Sequence, residues 1–174
     1  EIGASFLNWP RQMTLLTPSF HSNSFGLTDL NSIEPETSPA DFLRTQHPTG
    51  PQYAKYLQAV AEYHELPVQT RIQLTKVGKQ GDQFIASTNQ GDFTADHLIW
   101  AAGQFFSPRD RAFPGSDLAL HSSKVEDWGQ LEGDEFTVVG GYESGVDAAL
   151  NLVDLGKSVY LHSRGEPWSS DHPD

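Results

Sequence analysis

The clearest pattern of apolar and polar positions lies in residues 135–164, where the spacing changes from strand-like to helical and back. Residues 136–139 form a short run rich in β-branched side chains that predicts a strand, and residues 158–161 predict another. Residues 144–155 predict a helix between them, and Gly156 is placed to end it in a left-handed conformation. The apolar face assigned to this helix consists of Val146, Ala149, Leu150 and Val153. Two strands joined by a helix within about thirty residues predict a parallel βαβ unit.

Further upstream, the sequence predicts a longer helix over residues 51–64. Thr49 can cap its N-terminus, and Pro51 suits its first turn. The apolar residues that recur at helical spacing are Tyr53, Tyr56, Leu57, Val60 and Ala61.

A β-meander is predicted after this helix. Its strands are expected at residues 72–77, 83–88 and 93–100, with turns at 78–82 and 89–91. Residues 98–102 are continuously apolar and are followed by Gly103, which predicts a strand buried on both faces.

Two stretches, residues 1–50 and 104–134, predict irregular backbone, because prolines interrupt both. The first stretch is too long for a plain loop inside a compact domain. We therefore expect it to lie against something, such as a ligand or a domain outside this chain.

Composition and charge narrow the function classes. The chain has 23 acidic and 11 basic residues, a net charge of −12 and no basic cluster, so no nucleic-acid interface is predicted. No apolar run approaches the ~20 residues of a membrane-spanning helix, and Glu1 does not begin a signal peptide, so we expect a cytoplasmic protein without membrane contact. The chain lacks cysteine, and its 7 histidines show no metal-ligand spacing, so neither a Cys-x-x-Cys redox pair nor a metal site is predicted.

The turn between the first strand of the βαβ unit and its helix has the composition of a nucleotide-binding loop, Gly140-Gly141-Tyr142-Glu143-Ser144-Gly145. Its first glycine permits a tight turn, and its last glycine lets the helix pack close to the sheet. The helix N-terminus then directs free N–H groups and a positive dipole end at a pyrophosphate. All six residues are therefore candidate contacts of a dinucleotide.

Tyr142 and the residues after the second strand bear on which dinucleotide is expected. Tyr142 replaces the second glycine of the Gly-x-Gly-x-x-Gly pattern, so either its side chain swings away or the cofactor sits differently. No acidic residue follows the second strand until Glu166, whereas Ser163 and Arg164 can hold the 2′-phosphate of NADPH. NADPH is therefore favoured, and a solvated arginine is the alternative interpretation.

Residues 139–150 resemble the NADPH-binding segment of a group of flavoproteins. The group includes thioredoxin-reductase-like pyridine nucleotide-disulfide oxidoreductases and flavin-containing monooxygenases. Residues 98–103, followed by Pro108, resemble the second FAD motif of this group, with Ala102 in place of its threonine. The resemblance implies that Ala102 and Gly103 pass the flavin near its ribityl chain and phosphates, and a plain buried strand and turn is the alternative.

Two shorter stretches resemble further FAD-contacting segments of the group. Residues 3–6, with Trp9 behind them, are similar to the segment that follows the second strand of the FAD domain. Residues 70–72 resemble the strand whose backbone meets the adenine. The resemblance implies FAD contacts at Gly3, Ser5, Trp9 and Ile72.

The second irregular stretch resembles the identifying motif of flavin monooxygenases, Phe-x-Gly-x-x-x-His, at Phe113, Gly115 and His121. The spacing between the glycine and the histidine is longer here, and a turn-rich connector is the equal alternative. In the first irregular stretch, Asn23, Ser24 and Phe25 are candidates to line the flavin ring or the substrate side.

The resemblance implies an α/β fold of the FAD/NAD(P)-binding Rossmann-like class, a three-layer ββα arrangement with a β-meander that is incomplete at both ends. Residues 1–107 are expected to form a partial FAD-binding domain that lacks its first βαβ unit. Residues 108–134 form an interdomain connector, and residues 135–174 begin an NADPH-binding Rossmann domain. We expect that this chain alone does not hold FAD tightly.

The function that the resemblance implies is hydride transfer from NADPH to FAD, and then to a small-molecule acceptor or to oxygen. Without cysteine in the chain, a flavin-only reductase or a monooxygenase is favoured, and no catalytic residue is assigned. A non-catalytic NADP(H)-binding regulatory module, or a degenerate remnant that binds no cofactor, is the alternative. The expected partner is a small-molecule substrate or electron acceptor, and a homodimer is left open.

Overall fold

The computed structural model describes residues 1–19, 29–103, 107–109 and 111–166, so that the candidate residues Asn23, Ser24 and Phe25 lie outside it. The helices in these ranges are α1 (Ala4–Leu7), α2 (Pro39–Leu43), α3 (Gly50–Tyr63) and α4 (Glu143–Asp154). The strands are β1 (Leu74–Gln80), β2 (Gln83–Thr88), β3 (Gly91–Ala95), β4 (Glu135–Val139) and β5 (Ser158–His162). Three 3₁₀ turns lie between β3 and β4, at Ser116–Leu118, Ser122–Lys124 and Trp128–Gln130. None of the helices in these ranges has the length and apolar character needed to cross a membrane.

Helix α3 forms as the sequence predicts. Thr49 accepts a hydrogen bond from the Gln52 N–H, and the Gln52 side chain accepts one from the Thr49 N–H at 2.8 Å, which completes a capping box. Gly3, with a φ of 76°, packs so tightly on this helix that a Cβ there would lie 2.7 Å from the Ala54 Cβ. Only glycine combines this backbone conformation with so close an approach of α1 to α3.

Residues 29–49 lie against α3, so the support that was expected for the first irregular stretch comes from within the chain. Tyr53 Oη donates to the Asn31 carbonyl at 2.7 Å, and the Ile33 N–H donates to Tyr56 Oη at 3.1 Å. Burial, followed by the nearby Tyr56 and Asp29, raises the pKa of Tyr53 to about 12. The Tyr53 hydroxyl therefore stays protonated and remains a donor.

Asp29 holds the same segment together from inside. The residue is fully buried, and its Oδ1 accepts from the Asn31 N–H at 2.9 Å. Its Oδ2 accepts from Ser38 Oγ at 2.9 Å and from the Ala40 N–H at 3.3 Å. These donors offset the cost of removing a carboxylate from water.

The β-meander forms in the antiparallel order β1-β2-β3, but its third strand is shorter than predicted. β3 ends at Ala95, and residues 98–102 are not a strand. Residues 99–102 are also exposed rather than buried, with Ile99 90% exposed. An apolar strand needs neighbours that pair its N–H and C=O groups, and none of the described strands lies beside this run. The prediction of a buried strand that ends at Ala102 is therefore wrong for the described chain.

The βαβ unit forms as predicted. β4 and β5 pair in parallel, with Phe136 opposite Val159 and Val138 opposite Leu161. Gly156 follows α4 with a φ of 79°, the left-handed conformation that commonly ends a helix.

The buried face of α4 differs from the predicted one. Ala148 and Leu152 are buried, whereas Leu150 is 57% exposed and Val153 is also exposed. The cause lies in the connector, because Trp128 packs with Ala148 and Leu152 in one core cluster. The helix carries two apolar stripes, and contacts from distant sequence select which one is buried.

This selection predicts a difference between two leucines of α4. Leu152→Ala should lower the free energy of unfolding by about 2–5 kcal/mol, because it leaves a cavity beneath the helix. Leu150→Ala, the same change on the exposed stripe, should change it by less than about 0.5 kcal/mol. Urea denaturation of both variants measures the difference, and equal losses would contradict the assignment of the buried face.

Candidate functional site

The glycine loop brings the end of β4 against the start of α4. Gly140 has a φ of 121°, a value that favours glycine, and its N–H donates to the His162 carbonyl at 2.9 Å. At Gly145, a Cβ would overlap the Gly140 carbonyl oxygen. A side chain at Gly145 would push α4 away from β4, and one at Gly140 would strain the turn.

The N-terminus of α4 opens onto this loop without a side-chain cap. Tyr142 is the N-cap residue, and its side chain makes no capping hydrogen bond. The Tyr142 carbonyl accepts from the N–H groups of Gly145 and Val146. The first N–H groups of a helix, here those of Glu143 and Ser144, have no partner within the helix. Such groups, together with the helix dipole, form a place where an anion can bind.

Tyr142 occupies the position of the replaced glycine without backbone strain. Its φ is −96° and its ψ is −178°, an extended conformation open to any residue. The residue is 58% exposed. The tyrosine is therefore accommodated without the backbone freedom of the glycine that it replaces.

A cavity of about 660 Å³ lies between the glycine loop and the connector. From the loop it is lined by Gly140, Tyr142, Ser144 and Gly145. From the connector it is lined by Arg109, Phe113, Ser116, His121 and Ser122, among others. Its volume is in the range of ordinary ligand sites. The connector thus forms the second wall, a role that the sequence did not predict.

His121 stands in this wall with one ring nitrogen already engaged. Its Nδ1 lies 2.9 Å from Ser123 Oγ and 3.2 Å from the Ser123 backbone nitrogen, where it caps the second 3₁₀ turn. The histidine of the monooxygenase-like motif therefore also has an ordinary structural role.

Part of the expected FAD-contacting set is brought together. A Cβ at Gly103 would lie 3.9 Å from Ser5 Oγ, so two segments far apart in sequence are neighbours. Trp9 packs on Phe6, with ring centroids 4.9 Å apart. Trp9 also lines a second cavity, of about 640 Å³, together with Pro108.

The other candidates lie apart from both cavities. Ile72 is half-buried just before β1, and Ala102 is exposed. Ser163 and Arg164 follow β5 directly and are exposed. The candidates that line neither cavity are Gly3, Ser5, Ile72, Ala102, Gly103, Gly141, Glu143, Ser163 and Arg164.

Asp147 is a buried carboxyl group that the sequence did not single out. It is 6% exposed, and its Oδ2 has no hydrogen-bond partner among the described residues. Burial raises the pKa of Asp147 to about 6, and the neighbouring Asn151 opposes this shift. The Nε1 of Trp128, also buried, is likewise unpartnered among the described residues. The interior beside the glycine loop therefore holds an acid and a donor whose polar groups are not satisfied by the rest of the described chain.

The raised pKa of Asp147 predicts a pH dependence of stability. In the unfolded chain an aspartate titrates near 3.9, so between about pH 4 and pH 6 the folded state binds the proton more tightly. Stability should therefore fall as pH rises through this window, by on the order of 2 kcal/mol. Asp147→Asn removes this slope and should be more stable than the unsubstituted chain at neutral pH but equal to it near pH 4. Urea denaturation across the window measures the difference, and parallel pH profiles of the two proteins would contradict the burial of an ionisable Asp147.

No group of His, Asp and Glu side chains suited to a metal ion occurs within the described ranges. The uncapped N-terminus of α4 at the glycine loop instead offers a place where an anion can bind.

Comparisons with known proteins agree with this geometry. The family described as "Pyridine nucleotide-disulphide oxidoreductase" matches residues 1–174. An oxidoreductase of Bacillus velezensis, CzcO, is 29% identical over 172 residues, which cover 96% of this chain and 46% of the relative. The chain therefore spans about half the length of the curated relatives that it matches.

Two solved structures share the fold. The flavin-containing monooxygenase from Stenotrophomonas maltophilia matches with a TM-score of 0.73 at 17% identity, over 96% of this chain and 49% of its own. The bacillithiol disulfide reductase Bdr from Staphylococcus aureus matches with a TM-score of 0.71 at 22% identity, over 97% of this chain and 49% of its own. These likenesses confirm the fold of the FAD/NAD(P)-binding flavoproteins that the sequence resembles.

Proposed function

Because this chain belongs to the pyridine nucleotide-disulphide oxidoreductase family, we propose that it is part of a flavoprotein that passes a hydride from NADPH to FAD. The reduced flavin then reduces a small-molecule acceptor or oxygen. The family assignment implies FAD and NADP(H) as the cofactors. The observation that carries the proposal is the glycine loop at the uncapped N-terminus of α4.

The residues of the loop fit a dinucleotide. The contact between Gly140 and Gly145 holds the α4 N-terminus at the carboxyl end of β4, where a pyrophosphate can accept from the first N–H groups. Ser144 adds a hydroxyl at the cavity wall, and Phe113 lines the same cavity from the connector. Gly141 and Glu143 are proposed contacts through their backbone only.

The 2′-phosphate of NADPH is assigned to Ser163 and Arg164. Both residues follow β5 and are exposed, so that a ligand can reach them. Arg164 offers two parallel N–H donors to a phosphate, and Ser163 offers a hydroxyl. The next acidic residue is Glu166, so no carboxylate stands at the strand end, where it would bind the ribose of NADH.

FAD is assigned to Gly3, Ser5, Trp9, Ile72, Ala102 and Gly103. The approach of Ser5 to Gly103 supports the part of this set that meets the flavin phosphates. Residues 1–107 are proposed as part of the FAD-binding domain, residues 108–134 as the connector, and residues 135–174 as the start of the NADPH-binding domain with three-layer ββα architecture.

When bound, NADPH supplies a hydride and FAD accepts it, so the protein itself contributes binding and orientation. The α4 N-terminus holds the pyrophosphate, Arg164 holds the 2′-phosphate, and the connector closes the cavity. The hydride transfer itself needs no base or nucleophile from the protein, and no catalytic residue is assigned to it.

The cofactor assignment predicts different effects of two variants on nucleotide binding by this chain. Arg164→Leu should weaken NADPH binding by about 10–100-fold and leave NADH binding unchanged, because only NADPH carries the phosphate that loses its partner. Tyr142→Asp should weaken both nucleotides alike, because it places a carboxylate beside the pyrophosphate. Fluorescence titration measures the affinities, and Lys76→Leu, which removes a positive charge from β1, is the control that should change neither.

Two outcomes of this titration would count against the assignment. An Arg164→Leu variant that loses NADPH and NADH equally would exclude the 2′-phosphate role. No saturable binding by the unsubstituted chain would favour a degenerate remnant. Anaerobic mixing of NADPH with the whole flavoprotein, loaded with FAD, separates the remaining alternative, since a regulatory module would bind NADPH without bleaching the flavin.

A further inference from the structure

The N-terminal segment is tied to the connector by a set of hydrogen bonds around residue 12. The Gln12 side chain donates from Nε2 to Asp127 Oδ1 at 2.5 Å, and its Oε1 accepts from the Trp128 N–H at 3.1 Å. The Arg11 N–H donates to the Glu126 carbonyl at 2.7 Å. One amide side chain thus uses both of its ends on two consecutive residues that lie 115 and 116 positions away along the chain.

These hydrogen bonds fix the start of the third 3₁₀ turn, Trp128–Gln130. Asp127 caps this turn, accepting from the Gly129 N–H at 2.8 Å through the same Oδ1 that Gln12 contacts. The Gln12 amide, followed by the Gly129 N–H, keeps the pKa of Asp127 below its usual value. Asp127 is therefore ionised at neutral pH, which strengthens both hydrogen bonds.

The same turn packs against α4 on its other side. Trp128 is buried with Ala148 and Leu152 in the core of the βαβ unit. A Cβ at Gly129 would lie 3.9 Å from a methyl group of Leu155 and 4.0 Å from Gln12 Nε2. The turn is therefore held between Gln12 and the helix whose N-terminus carries the glycine loop.

Gln12 belongs to a segment that is itself fixed in place. Pro10 is buried, and the Met13 N–H donates to its carbonyl at 2.9 Å. Trp9 and Ser5, the proposed FAD contacts, precede it by only a few residues. A series of contacts thus connects the proposed FAD side, through Gln12 and Trp128, to α4.

We propose that Gln12 is a positioning residue which, through Asp127, fixes the orientation of the βαβ unit relative to the N-terminal segment. Hydride transfer depends steeply on the relative position of donor and acceptor, so this pair sets the rate of flavin reduction without touching either cofactor. The consequence for hydride transfer rests on the proposed function, whereas the consequence for orientation does not.

The neighbouring ion pair does not perform this role. Arg11 Nη1 lies 3.9 Å from Asp127 Oδ2, and the Arg11 side chain is 81% exposed. Exposed pairs at this distance contribute little. The backbone bond from Arg11 to Glu126 remains in every side-chain variant, so that the segments stay attached while their orientation loosens.

A distance measurement tests the orientation directly. The chain contains no cysteine, so spin labels can be placed at Glu62→Cys in α3 and Asp154→Cys in α4 without removing native thiols. The distance distribution should be narrow with Gln12 present. Gln12→Glu should broaden or shift it, because a second carboxylate then faces Asp127.

The reciprocal double variant provides the rescue. When Gln12→Glu is combined with Asp127→Asn, the repulsion between two carboxylates is removed, and the Trp128 N–H can still donate to the side chain at position 12. The new amide at position 127 would donate to the carboxylate at position 12 in place of capping the turn, because Gln12 and the Gly129 N–H both contact the same Oδ1 of Asp127. The narrow distribution should then return. Gln12→Met, which removes both hydrogen bonds without adding charge, covers the case in which Gln12→Glu does not fold. A distribution that stays narrow in both single variants would overturn the proposal, as would a double variant that is no better than Gln12→Glu.

Flavin reduction provides the second readout. In the whole flavoprotein of which we propose that this chain is part, loaded with FAD, Gln12→Glu should slow anaerobic flavin reduction by NADPH by about tenfold or more, since small displacements of reacting groups have effects of this size. The Kd of NADPH should stay within about twofold, and the double variant should recover most of the rate. A merely structural Gln12 would lower thermal stability and leave the rate unchanged. If the unsubstituted whole flavoprotein transfers no hydride, the proposed function fails, and the spin-label distances still decide the role of Gln12.

Discussion

The close approach of α4 to the end of β4 is the constraint on which the rest of the βαβ unit depends. It exists because Gly145 offers no Cβ to the Gly140 carbonyl. The contact fixes where the helix begins and where its first N–H groups point. It also keeps α4 close to β4, and Trp128 then packs with Ala148 and Leu152 in the core. The candidate anion site and the close packing of α4 on β4 therefore both depend on one backbone contact.

The connector buries apolar surface of the βαβ unit that its two-stranded sheet cannot cover alone. One helix on two strands leaves most of its apolar surface open, and three short turns of the connector cover part of it. Trp128 packs in the core below α4, and connector residues that include Arg109, Phe113 and His121 form the opposite wall of the cavity. The Gln12 side chain accepts a hydrogen bond from the backbone N–H of Trp128. The core below α4 is therefore connected to the N-terminal segment that carries Gln12.

Local signals predicted the elements whose causes are local. The Thr49 cap of α3 and the left-handed Gly156 each depend on neighbours within a few residues, and the parallel βαβ unit is contained within about thirty residues. All three were predicted correctly. The apolar run that ends at Ala102 was wrongly predicted to be a buried strand, because burial requires strands that the described chain does not place beside it. The prediction of the buried face of α4 was wrong for a related reason, since packing against Trp128 determines which of the two apolar stripes of the helix is buried.

The candidate site divides in the same way. The roles of the glycines could be predicted because a positive φ or the need for a missing Cβ selects glycine at a single position of the sequence. No such signal in the sequence indicates the roles of Gln12, Trp128 and Asp147, because these roles arise from contacts between residues that are distant in sequence. The most direct test of the central claim is a titration of the ¹⁵N-labelled chain with NADPH, followed by backbone amide chemical shifts. The account predicts saturable shifts at residues 141–145 and none along α3, whereas shifts confined to other residues would contradict it.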